Sequence, residues 1–173
     1  TVLKLLNEAL ATELVCVLRY KRHYFTASGI HAQSVAAEFL EHANEEQGHA
    51  DEIAARIVQL GGAPNFNPEG LTTRSHAEYV EGENLIDMIK EDLVAERIAI
   101  DSYRDMVRYL GEDDTTTRSM LEDILDGLFH IAKADGVIHE RELGYLGRVA
   151  EIFRIDQEHF ATIVARHAVL GEG

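Results

Sequence analysis

The chain has 173 residues, 46% of them apolar and 27% charged, with a formal charge of −15 at neutral pH. That length permits one large domain or two small ones with ample core, and no apolar run reaches the roughly 18 to 20 residues of a transmembrane helix. The negative balance repels nucleic acid and anionic membrane and favours cations, so the expected partners are metal ions, with no nucleic acid and no membrane. The single Cys16 excludes an intrachain disulfide and, set among Leu14, Val15 and Val17, reads as a small buried thiol. The chain starts at Thr1, which points to processing or trimming, and no secretory leader is read. The expected location is the cytoplasm.

Almost everything reads as helix. Residues 2–28 carry a 3.6-residue apolar period that stops near Ser28-Gly29. A second helix runs from about His31 to Leu60 and closes at Gly61-Gly62. Both prolines, Pro64 and Pro68, follow in a segment that cannot be helical throughout and extends to about Gly82. A third helix covers about Asn84 to Leu110. The fourth starts at Thr115 and continues to about Ala134, and two shorter amphipathic helices follow, over about 139–153 and 157–170. A helix of about 27 residues is about 40 Å long. A helix pair, a crossover of some twenty residues and a second pair give the ferritin-like topology of the four-helix bundle.

Acidic side chains interrupt the apolar stripes. Leu3, Leu6, Leu10, Glu13, Val17 and Tyr20 line one face of the first helix, and Ile86, Ile89, Leu93, Glu96, Ile100 and Tyr103 repeat that spacing 83 positions later. The second helix carries Phe39, Glu46, His49, Ile53, Ile57 and Leu60. Carboxylates on a core face need a partner or a metal. Glu46-Gln-Gly-His49, the only Glu-x-x-His of the chain, places both side chains one turn apart on one face. Joined by Glu13 and Glu96, it makes a metal constellation of Glu13, Glu46, His49 and Glu96. Mixed oxygen and imidazole donors suit iron or manganese, with zinc not excluded. Protonation, or pairing with Arg22, Arg97 or Arg104, is the alternative for these carboxylates. Tyr20 and Tyr103, each seven residues after a core glutamate, are expected to hydrogen-bond them or simply to pack.

The repeat also predicts a second Glu-x-x-His. Glu13 to Glu46 is 33 residues, so the partner of Glu96 belongs at 129 and its histidine at 132, where the sequence has Phe129 and Ala132. His130 is the nearest substitute.

Residues 1–120 resemble bacterioferritin and Dps-like members of the ferritin-like superfamily. The resemblance rests on Leu6-Asn-Glu-Ala-Leu10 leading to Glu13, on Tyr20, on Glu46-Gln-Gly-His49, on Leu60-Gly-Gly-Ala-Pro-Asn65 and on Val94-Ala-Glu96. It implies Glu13 and His49 as ligands of one iron, Glu46 as a bridge and Glu96 as a ligand of the other. Haem in that family is held by a Met directly after the second-helix Glu; Gln47 stands there, so no haem is expected. Residues 121–173 resemble the C-terminal part of a TerB-like domain of a DnaJ-like co-chaperone, through Leu121-Glu-Asp-Ile-Leu-Asp-Gly-Leu-Phe-His-Ile-Ala-Lys-Ala-Asp-Gly136. That second resemblance selects Asp135 and Glu142 as metal contacts.

The expected architecture is therefore an all-α ferritin-like bundle over 1–120, joined through a hybrid fourth helix to TerB-like helices over 121–173. The leading functional expectation is a chimeric helical scaffold that retains part of a di-iron site, binds one metal ion and lacks an intact ferroxidase centre. A homodimer is expected rather than a closed cage. The alternatives are a working iron-oxidising or iron-storage protein and a TerB-like interaction module.

Overall fold

A computed structural model describes residues 1–29 and 32–131, with the side chains of residues 34 and 127–131 outside the description. The chain divides into two compact units, Thr1–Leu125 and Asp126–Gly173, and Glu13, Glu46, His49 and Glu96 all belong to the first. The described residues contain helices and no strand: α1 (Val2–Thr26), α2 (Ala32–Gln59), α3 (Leu71–Arg74), α4 (Leu85–Leu110) and α5 (Thr115–Ile131). α1, α2 and α4 lie within a few residues of the sequence expectation, and α5 starts at the expected Thr115; the expected end near Ala134 lies outside the described residues. α3 is one extra turn inside the crossover. The two shorter helices expected over 139–153 and 157–170 lie outside the described residues.

α1 packs along α2 and also against α4 and α3. Its buried face, Leu6, Ala9, Leu10, Glu13, Val17 and Tyr20, follows the predicted stripe, with Leu3 half-buried at its start. α4 departs from its stripe. Ile86, Ile89 and Leu93 are 64%, 37% and 59% exposed, and Met88, Asp92, Ala95, Glu96, Ala99 and Tyr103 are buried instead. Small Ala95 packs with Cys16 and Tyr20 of α1, and Asp92 faces the buried Arg19 of α1. Side-chain size alone favours the exposed Ile and Leu positions, so the stripe is shifted along the first half of the helix.

The ends are fixed locally. The Asn84 side chain caps α4 by accepting from the amides of Ile86 and Asp87 at 3.0 and 3.1 Å. Just past the C-terminal end of α2, Gly62 lies so close to α1 that a Cβ there would stand 2.6 Å from a Leu3 methyl. Asn7 holds the crossover where it leaves α2, accepting from the amide of Asn65 at 2.7 Å. Arg56 of α2 donates to Thr117 at 2.8 Å and to Asp114 at 3.0 Å, tying the start of α5 to the C-terminal end of α2. No helix of the described residues is long and apolar enough to cross a membrane.

Candidate metal centre

Glu13 from α1 and Glu46 from α2 are each 1% exposed, and one ligand atom from each, with one from His49, lie within 4.8 Å of one another. His49 Nδ1 is 3.0 Å from Glu46 Oε2 and 3.5 Å from Glu13 Oε2. Glu96 of α4, 8% exposed, is not part of that three-residue group; Tyr20 donates to its Oε1 at 2.5 Å. Tyr103 donates in the same way to Glu13 Oε1. Both tyrosines thus serve carboxylates, and each reaches the glutamate of the other helix. Two of the candidate arginines pair with other carboxylates: Arg22 with Glu81 and Arg104 with Asp101.

Protons organise the metal-free site. Burial drives Glu46 well above the usual carboxylate range, and the nearby charges of Glu13 and Glu96 drive it further. Burial also acts to raise Glu13, but hydrogen bonds from Glu46, His49 and Tyr103 and the charge of His49 outweigh it and hold Glu13 low. His49 is raised: burial opposes its charge, and the hydrogen bond and charge of Glu13 overcome that. Glu96 is pushed up to about 7 by burial, against the Tyr20 hydrogen bond, and further by the charge of Glu13. These shifts favour the ionised form of Glu13, the protonated form of Glu46 and the cationic form of His49. A cation entering this group displaces protons.

Two buried carboxylate oxygens are under-satisfied. Glu96 Oε2 accepts no hydrogen bond, and Glu13 Oε2 has His49 Nδ1 at the long distance of 3.5 Å, a costly state for a buried carboxylate unless a further partner satisfies it. Carboxylate oxygens with an imidazole form the donor set of iron and manganese, so the residues present fit a divalent metal. The sequence expectation did not include the charged cluster beside this group. Arg19, 1% exposed, donates from Nε to Asp92 Oδ1 at 2.8 Å. His23, fully buried, lies with Nδ1 2.8 Å from Asp92 Oδ2. The signal was present as two i, i+4 pairs, Arg19 with His23 and Asp92 with Glu96. The His130 side chain, Asp135 and Glu142 lie outside the described residues.

Residues 3–134 match the model of the ferritin family, described as a ferritin-like domain. The chain belongs to that family. A nutrient stress-induced DNA-binding protein of Synechococcus sp. is 32% identical over 136 residues, covering 73% of this chain and 76% of the relative. A bacterioferritin of Rhodobacter capsulatus is 30% identical over 125 residues, covering 72% and 73%. Among solved structures, the dodecameric thioferritin of Bacteroides fragilis, a bacterioferritin-related protein, has a TM-score of 0.73 at 25% identity and covers 90% of both chains.

These findings correct three expectations. The ferritin match runs through residue 121 and on to 134, so the fourth helix is not a junction between two families. With the junction go the chimeric scaffold and the TerB-like module. Leu121–Leu125 is an apolar helical repeat that many amphipathic helices satisfy, and a resemblance seeded there is not specific. The expectation against a closed cage is contradicted by a dodecameric neighbour that covers nine-tenths of this chain. The exclusion of nucleic acid fails as well, since the Synechococcus relative is named as a DNA-binding protein. A net charge is a sum over the chain and does not describe how charge is arranged on an assembly surface.

Proposed function

We propose that this ferritin-like protein takes up ferrous iron at Glu13, Glu46, His49 and Glu96, oxidises it and stores the product. The observation that carries the reading is the buried carboxylate–imidazole group of Glu13, Glu46 and His49 inside a ferritin-like fold, with the under-satisfied oxygens Glu13 Oε2 and Glu96 Oε2. Iron is the substrate, and dioxygen or hydrogen peroxide is the class of oxidant that accepts its electrons. In this proposal Glu13 and His49 hold one iron, Glu46 bridges and Glu96 faces the second. Glu46 gives up its proton as the metal arrives. The hydroxyls of Tyr20 and Tyr103 keep Oε1 of Glu96 and Glu13 oriented, so that the two Oε2 atoms remain for metal. Assembly of twelve copies into a closed shell, the thioferritin relative being named as dodecameric, and a cytoplasmic location belong to the same proposal.

Aerobic addition of ferrous iron to the metal-free protein tests it. The expected result is rapid growth of ferric absorbance with two irons taken up per chain in the first phase, abolished by Glu46→Ala. Oxidation no faster than in buffer would overturn the reading. Light scattering during size-exclusion chromatography checks the assembly, and a monomer or dimer at all concentrations would remove the shell from the proposal.

A further inference from the structure

Beside the metal centre, three ionisable side chains are buried together where apolar ones would pack. Asp92 accepts from Arg19 Nε at 2.8 Å through Oδ1 and meets His23 Nδ1 at 2.8 Å through Oδ2. The other edges of both side chains hold the end of the crossover: Arg19 Nη1 donates to the Glu78 carbonyl at 3.0 Å, and His23 Nε2 lies 3.1 Å from the Glu81 carbonyl. All three side chains are at most 5% exposed as residues. Buried ion networks of this kind often stabilise no better than apolar residues of the same volume. Apolar packing between α1 and α4 is already available, since Met88 and Ala95 cluster with Cys16 and Tyr20. Holding the helices together therefore does not account for the network.

Its position does. Asp92 lies one turn before Glu96 on α4, and Tyr20, whose hydroxyl holds Glu96 at 2.5 Å, stands between Arg19 and His23 on α1. A fork of fixed donors on one helix facing one carboxylate on the other fixes both the register and the rotation of α4 about its axis. Glu96 rotates with that turn. We infer that Arg19, His23 and Asp92 are positioning residues for the metal centre: they set α4 against α1 so that Glu96 presents its free oxygen to the metal. This rests on the proposed metal centre and adds residues that touch neither iron nor its ligands directly.

A double-mutant cycle between Asp92→Asn and Glu96→Gln tests the inference, with cobalt(II) alone as the probe under argon. Asp92→Asn is expected to weaken cobalt binding about tenfold and to shift its visible bands. In the Glu96→Gln background the same change is expected to alter affinity by less than twofold, because residues that act through one another do not add. Equal effects of Asp92→Asn in the two backgrounds would overturn the inference, and so would an unchanged cobalt spectrum with only a lowered melting temperature. Should Asp92→Asn fail to fold, the triple change Arg19→Met, His23→Leu and Asp92→Leu removes the buried charges together and is judged by the same cycle. The cobalt cycle needs no oxidation. A wild-type protein that binds cobalt but does not oxidise iron refutes the proposed function and leaves the positioning to be decided by the cycle.

Discussion

Glu96 makes the centre costly to keep, and replacing it by Gln should stabilise the metal-free protein in a pH-dependent way. The carboxyl moves from an ordinary 4.5 to about 7 because it is buried, against the Tyr20 hydrogen bond and with the charge of Glu13 adding to the rise. In the unfolded chain it ionises near 4.5, whereas in the folded chain it keeps its proton until about 7. The penalty on folding is thus absent below about pH 4.5, grows between about 4.5 and 7 and is complete above about 7. At about 1.4 kcal/mol for each pH unit, it reaches about 3 kcal/mol. Gln keeps the volume and still accepts from Tyr20, but it cannot ionise. In the presence of a chelator, Glu96→Gln should therefore raise the melting temperature at pH 8 by about 6 to 12 °C, taking about 2 to 4 °C per kcal/mol for a chain of this size. At pH 5 the gain should fall below about 1 kcal/mol. Differential scanning calorimetry at the two pH values measures both. A variant no more stable than wild type at pH 8, or equally stabilised at pH 5 and 8, would refute the assignment of a raised, burial-driven carboxyl at this position.

Metal binding should release protons, since burial and the charge of Glu13 favour the protonated form of Glu46, and Glu13 favours the cationic form of His49 against the effect of burial; a pH-indicator dye during zinc or cobalt addition reads this, and no release would contradict it. Tyr103→Phe removes the donor to Glu13 Oε1 and should cost about 1 to 3 kcal/mol in urea denaturation of the metal-free protein. Arg56→Met cuts the bonds to Thr117 and Asp114; a loss of about 1 to 2 kcal/mol is expected, with faster amide exchange confined to the first turn of α5. Asn84→Ala removes the α4 cap and should cost about 1 kcal/mol, seen as a lower urea midpoint at unchanged slope.

Much of this molecule can be read from its residue order. Helix lengths follow from the 3.6-residue period and the Gly and Pro punctuation, and the meeting of Glu13, Glu46 and His49 follows from acids placed on apolar stripes. Asp92 cannot be read in that way. An aspartate flanked by Glu91 and Leu93 looks solvated, and only the opposing Arg19 and His23, about seventy positions earlier, make its burial favourable. The same blindness puts Ile86, Ile89 and Leu93 in the core, because a stripe drawn by residue size cannot detect a charge pair that turns the helix. At the far end the difficulty is the reverse: a locally familiar stretch near Leu121–Leu125 suggests a second family, whereas the ferritin match spans residues 3–134.

Tyr20 and Tyr103 stand 83 residues apart, as do Glu13 and Glu96, and each hydroxyl is bonded to the other repeat's carboxylate. This is the reciprocal pattern of an isologous interface, in which residue i meets j and j meets i, contained within one chain. The two repeats are joined as two subunits of a dimer would be, and neither satisfies its own glutamate. The pseudo-symmetry also shows what is unique to one side. Shifted by 83, Glu46 and His49 fall on Phe129 and Ala132, while Arg19 and His23 fall on Ser102 and Met106, and Asp92 falls back on Ala9. Among the described residues, the histidine-bearing half of the centre and the buried ion network each occur once. A site built on a two-fold plan thus has inequivalent halves, and the first and second metal ions to enter it should bind with different affinities.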